Sequence, residues 1–393
     1  MKNESRLSVM FGIAFVWFST QFGGGFATGN QLRQYFVQYG WIGIITCIFA
    51  QCVMGYIFWY CLRYSKNHGV HNYRKYNESL FGRANVIFGN GFELVYLCSV
   101  TTGTAASFAT TAATMESAFG VNYWISIVGM ASFIFFVAIY GQSIIRKVAT
   151  LLSTLIVVGL LIVYIPNIIK FSGDISANFA ASVAQPCNFF GAMKSAFIYG
   201  MFQCGVLAVL CAQSKDLASP KEANKAIGIG IVVNSLFSVL PIIGLMAIVN
   251  EPTFYEEAIP LLILVNKGVA PNVLRCIISI LIVLGSISTA VNLVSGLTNR
   301  ICGTLDKNFD PSGKPTKAII ISTAIITIVC FGIAQFGLTA IVAKGYKYVG
   351  VLAIFVTFIP YTISIILTKC DTRPLPAWLR RKSKANETDV KFN

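Results

Sequence analysis

Residues 21–30 read QFGGGFATGN and put three consecutive glycines inside the first long apolar segment of the chain. Glycine costs a helix about 1 kcal/mol relative to alanine, so this is a poor way to write a continuous membrane helix. Two readings follow. Either the glycines bare the backbone so that a ligand can reach it, or they let neighbouring helices approach closely.

The surrounding sequence sets the frame. Of 393 residues, 55% are hydrophobic and 11% charged, too apolar for a soluble domain and expected of an integral membrane protein. Apolar stretches long enough to cross about 30 Å of hydrocarbon predict ten spans. These fall at roughly 7–38, 40–62, 84–116, 121–142, 146–168, 189–214, 222–249, 271–303, 317–336 and 346–369. No alternation of polar and apolar residues suggests a barrel, so the spans are read as helices, and the fold class as all-α. The first span, after MKNESR, is too long for a cleaved signal peptide. The eleven cysteines lack metal-ligand spacing and read as small buried residues, not as a disulfide framework.

The net charge of +15 is unevenly placed, which argues against nucleic acid as a partner. With the N-terminus in the cytoplasm, 23 of the 30 Lys and Arg fall on the inner side and seven on the outer. That asymmetry predicts a cell-membrane protein with both termini cytoplasmic. A basic tail at 371–393, containing RRKSK, is expected to sit near anionic lipid.

The two halves resemble each other. Glycines interrupt the leading span at Gly23–Gly29, and TTGTAAS at 101–107 follows in the third span. In the second half the leading span is interrupted at YGMFQCG, 199–205, and GSISTA follows at 285–290. The separations are similar, 78 residues from Gly23 to Thr101 and 85 from Gly200 to Gly285. Five spans per half make the repeat inverted, over 7–170 and 185–370 of a single transmembrane domain. Matching glycine-interrupted helices in inverted halves point to a transporter's central site. Freed carbonyls suit a small cation there, and a half-helix starting near Phe26 suits a carboxylate.

GGGFATGNQLRQYF resembles a motif near the start of the YkvI-like bacterial membrane proteins and, more widely, the LeuT-fold transporters of the amino acid, polyamine and organocation superfamily. The resemblance implies a five-plus-five inverted repeat with helices 1 and 6 broken. It also implies a sodium site made by the carbonyls of Gly23, Phe26 and Gly285 and the hydroxyls of Ser288 and Thr289. Read without it, the hydroxyls of SIST bond back to their own helix. A second sodium site would use Asn30, but Tyr199 stands where a small hydroxyl is expected and Gln51 where an acid is common. Asn234 is read as an interhelical hydrogen-bonding residue or a substitute ligand.

The substrate pocket is expected from Gly24, Gly25 and Ala27 of the first break, Phe202, Gln203 and Cys204 of the second, and Thr101, Thr102 or Ser107 of the third span. Glu93 is the acid well inside a span, with Glu116 at that helix's outer end. It carries a coupled proton or pairs with a basic residue. His68 and His71 lie in a basic loop with no third metal ligand nearby. No Walker motif is present. The expected function is therefore cation-coupled secondary transport, with sodium as the coupling ion, of a small solute such as an amino acid or organic acid. A solute-sensing receptor of the same fold and a proton-coupled carrier are the alternatives; a channel and a membrane enzyme fit less well.

Overall fold

The computed structural model describes residues 6–140, 142–305 and 315–380, leaving aside the side chains of 142–153. Most of the RRKSK tail lies outside these residues. The described chain is helical: α1 Arg6–Gln21, α2 Gly24–Ala27, α3 Asn30–Tyr35, α4 Ile42–Asn67, α5 Tyr73–Phe81, α6 Asn85–Phe119, α7 Tyr123–Tyr140 and α8 Gln142–Lys170. The second half continues with α9 Ser172–Ala184, α10 Phe189–Phe202, α11 Leu207–Gln213, α12 Glu222–Leu245, α13 Pro260–Lys267, α14 Pro271–Leu305, α15 Lys317–Ala334 and α16 Leu338–Leu367.

Seven of these helices are long and apolar enough to cross a membrane, or eight if the pair Thr154–Lys170 and Ser172–Ala184, bent by 79°, counts as one span. The ten expected spans differ by the first, which is broken, and by α6, whose centre is rich in threonine and serine. The expected last span begins too late. Its expected start is 346, yet the chain is already helical from Leu338 and passes Ile341–Gly345 as a wider π turn.

Two groups of helices emerge from the packing. α1 packs on α12, α12 on α4 and α4 on α10, while α6, α7, α14 and α15 all contact one another. The longest contact joins α6 to α14, through small residues; Gly103 of α6, for example, faces Leu293 of α14. Outward faces carry exposed residues such as Ile125, Phe136 and Ile328, as lipid-facing surface requires. All eleven cysteines are free.

One end of the bundle carries the α4–α5 loop, the start of α12 and the C-terminal segment; we call it the basic end. There Asp371, 3% exposed, accepts from Asn67 Nδ2 (2.8 Å) and pairs with His68 Nε2 (2.8 Å). Farther on, the Leu379 carbonyl accepts from Arg83 N (2.8 Å) and closes over Gly82, whose φ of +52° favours glycine. The segment after α16 is thereby strapped both to the start of the α4–α5 loop and to the α5–α6 turn. Asp371→Ala leaves Asn67 and His68 without their acceptor; we expect a loss of about 1–3 kcal/mol, measured by thermal unfolding in detergent against wild type.

Candidate functional site

The site begins at the glycine run. α1 ends at Gln21, Gly23 is extended (φ −88°, ψ −178°), and Gly24–Ala27 form one isolated turn. Gly29, at φ +80°, takes the left-handed conformation that glycine tolerates and starts α3. The leading helix is thus interrupted twice, as QFGGGFATGN predicts. Its backbone is largely satisfied within the break. The Gly23 carbonyl accepts from Phe26 N and Ala27 N (both 3.0 Å), and that of Phe26 from Gly29 N (3.0 Å). The Gly25 carbonyl takes the Thr28 hydroxyl (3.1 Å), and the Thr28 carbonyl takes Leu261 N of α13 (3.1 Å).

The second break differs from expectation. Phe189–Asp216 runs as one long helix in which Gln203–Val206 tightens to a 3₁₀ turn, so helix 6 is constricted, not unwound. The reason lies in its glycines, which are used for close approach. A Cβ on Gly200 would lie 3.3 Å from the Ala50 carbonyl of α4, and one on Gly205 would lie 3.4 Å from Ser99 Cβ of α6.

Between the two interruptions lies a cavity of about 680 Å³, its open mouth included. Gly24, Gly25, Phe202 and Gln203 line it, as the sequence led us to expect. The rest of that expectation lies elsewhere. Ala27 borders a small apolar cavity with Phe22, Ile156 and Ile278. Cys204 is buried against the Gly200 carbonyl. Thr101, Thr102 and Ser107 turn their hydroxyls back onto carbonyls of α6, the local bonding that threonine and serine adopt in apolar helices. Sequence reasoning missed Gln21, Gln31, Tyr96, Ser99 and Tyr346. Gln21 and Gln31 flank the glycine run and were visible; Tyr346 had no local signal.

Aromatic and amide groups dominate the walls. The Phe202 and Tyr346 rings stack at 3.8 Å and 16°. Gln21 donates to the Tyr199 hydroxyl (2.8 Å) and accepts from Trp17 Nε1 (3.0 Å), tying α1 to α10. Tyr96 lines both this cavity and a second one with Glu93 and Arg300, so its side chain stands between the two on the side of the basic end. The opposite end is closed. Arg33, 1% exposed, donates to the Phe254 carbonyl and to that of Glu257 (2.8 Å), and Asn30 Nδ2 donates to the Ala258 carbonyl (2.9 Å) and Thr339 Oγ1 (3.0 Å).

Of the five residues expected to hold sodium, Gly23 and Thr289 both line the cavity, and a Cβ on Gly23 would meet Thr289 Cγ2 at 3.7 Å. Gly285 is buried against Ile156 of α8, Ser288 is half-buried, and Phe26 packs on Phe22 with ring centroids 4.7 Å apart. Asn234 donates to Gly230 of its own helix, not to a neighbour. Gln51 Nε2 reaches Ser238 Oγ (3.3 Å). Glu93 pairs with Arg300 of α14 and accepts from the Tyr73 hydroxyl (3.2 Å), while Glu116 is exposed. His71 Nδ1 meets Ser214 Oγ at 2.7 Å, and burial, then the Lys66 charge, pulls its imidazole below the ordinary value. Among the described residues no cluster of three His, Cys, Asp or Glu could hold a metal.

The fold has solved counterparts. A Na⁺-coupled sialic acid symporter in a substrate-bound outward-open state matches at TM-score 0.59 and 14% identity, over 91% of this chain and 90% of that one. Mhp1, a nucleobase-cation-symport-1 family transporter in a closed conformation with bromovinylhydantoin bound, matches at 0.60 and 15%, over 95% and 81%. A manganese transporter of Eremococcus coleocola matches at 0.55 and 12%, over 97% and 84%. No protein-family model and no curated protein matches the chain. The chain is a multi-pass membrane protein that shares the LeuT fold with these structures.

Gly24 has a packing role of its own. A Cβ there would lie 2.6 Å from Thr110 Oγ1 of α6 and 3.0 Å from Ser286 Oγ of α14. We expect Gly24→Ala to destabilise by about 1–3 kcal/mol, Thr110→Ala to recover part of that loss, and Gly23→Ala to be nearly neutral. Thermal unfolding of the four proteins decides it; equal effects of the two glycine substitutions would exclude packing as the reason.

Proposed function

We propose that the chain is a cation-coupled secondary transporter that moves a small solute by alternating access through ten spans in a five-plus-five inverted repeat. The observation that carries this is the cavity between the interrupted α1–α3 segment and the constricted α10–α11 turn, with Arg33 bonded across one end and Tyr96 between it and a second cavity at the other. Solved transporters of the same fold, two of them symporters by description, support the reading. Placing both termini in the cytoplasm follows from the charge asymmetry and makes the basic end the inner one. The YkvI-like affiliation rests on GGGFATGNQLRQYF. The substrate-facing residues of this reading are Gly24, Gly25, Phe202 and Gln203.

Sodium is the coupling ion of this proposal, held by Gly23, Phe26, Gly285, Ser288 and Thr289. A hard cation of this size takes neutral oxygens readily. The carbonyls of Gly23 and Phe26 already accept hydrogen bonds within the break. Ion binding therefore competes with the Gly24–Ala27 turn and reorders it, which is the differential interaction that a two-state carrier needs.

Two measurements test this. Sodium, against potassium at equal ionic strength, should raise the unfolding temperature of the purified protein, and Ser288→Ala with Thr289→Val together should abolish the increment. An increment that survives in the double variant places the ion elsewhere, and its absence in wild type favours proton coupling. For Glu93, substitution by Gln removes titration but keeps shape. A transport pH profile shifted in Glu93→Gln assigns Glu93 the proton, while an unchanged profile with lowered stability makes the Arg300 pair structural.

A further inference from the structure

Resting on the transporter reading, we infer that the solute is an uncharged molecule with a flat face and amide-type hydrogen-bonding groups, not a net-charged acid or a zwitterion. Among the described residues that line the cavity none is charged. Net charge brought from water into such walls loses hydration with no side-chain counterion to replace it.

The backbone of the break does not make up the deficit. An ammonium group would have to compete for carbonyls with main-chain N–H groups at Gly23, Phe26 and Thr28 and with the Thr28 hydroxyl at Gly25, at sites this reading already gives in part to sodium. A carboxylate would look to a helix N-terminus, but Gly24–Ala27 is a single four-residue turn with almost no summed dipole.

What the cavity does offer is neutral. Gln31 lines it, is 2% exposed, and leaves its Nε2 without a hydrogen-bond partner. A buried amide donor in that state is destabilising until an acceptor arrives. Gln203, 7% exposed, supplies a second amide in the same wall. The Phe202–Tyr346 stack holds both rings rigid and presents aromatic surface on which a flat molecule extends the stack. Gln31 is thus assigned as the residue that hydrogen-bonds a solute carbonyl, and Phe202 as the platform.

The test uses purified full-length protein in sodium buffer and four probes: uracil and nicotinamide as flat uncharged amides, L-leucine as a zwitterion, and succinate as a dianion. Thermal stabilisation should appear with at least one ring compound and not with leucine or succinate at the same concentration. Gln31→Leu and Phe202→Leu should each weaken ring binding at least tenfold; the wild-type panel stands on its own should a variant fail to fold. Failure of both rings to stabilise the wild type, stabilisation by leucine or succinate, or undiminished ring binding in a folded Gln31→Leu protein would overturn the inference. Flux is scored separately, as entry of the labelled ring into proteoliposomes. Binding without flux removes the transporter reading and leaves the solute class standing, whereas flux of leucine or succinate alone does the reverse.

Discussion

A peptide group inside hydrocarbon has no water to turn to, and an interrupted helix exposes several at once. The structure around residues 21–30 follows from meeting that demand. The Gly24–Ala27 turn pairs its own carbonyls, and Thr28 passes its carbonyl to α13 through Leu261 N. Beyond it, Asn30 and Arg33 reach across to carbonyls at 254–258. Those side chains hold the loop between α12 and α13 over α3, while Leu261 N ties α13 to the break itself. Opening that end leaves a buried guanidinium without its acceptors.

The hydroxyl-rich centres of α6 and α14 divide into two kinds. Thr101, Thr102, Ser107 and Thr114 bond back into their own helix. Thr110 and Ser286 are buried with no hydrogen-bond partner and press on Gly24 from both sides. The first kind lets a polar sequence survive in an apolar setting. The second fixes how close α6 and α14 come to the break, and so sets the width of the cavity.

Much of this was legible beforehand, for reasons that can be named. The interruption at GGG is a local steric fact and was read correctly, as were the boundaries of helices such as Glu222–Ile248 and Pro271–Leu305. YGMFQCG misled because glycines at 200 and 205 serve close approach to α4 and α6, a tertiary reason that composition does not separate from unwinding. Among the site residues, those within the glycine run and at 202–203 were found. Thr101 and Thr102 were not distinguishable from cavity-lining hydroxyls until helix rotation was known. Tyr346 joins the cavity by stacking on Phe202 and standing beside Gly25, contacts between distant parts of the chain that no sequence spacing announces. Glu93 stood out as an isolated acid; its partner Arg300 lies on another helix.

The strap after α16 has a consequence for the order of assembly. Arg83 and Leu379 are joined by a main-chain hydrogen bond, as Asn67 and His68 are joined to Asp371. During synthesis the α4–α5 loop and the α5–α6 turn emerge well before the segment that covers them, which follows the intervening helices. Such a contact of high sequence separation is slow to form and cannot nucleate anything. Until the chain has grown past residue 379, Gly82 and its neighbours wait uncovered at the basic end. The finished protein is fastened by residues made after the helices they tie down.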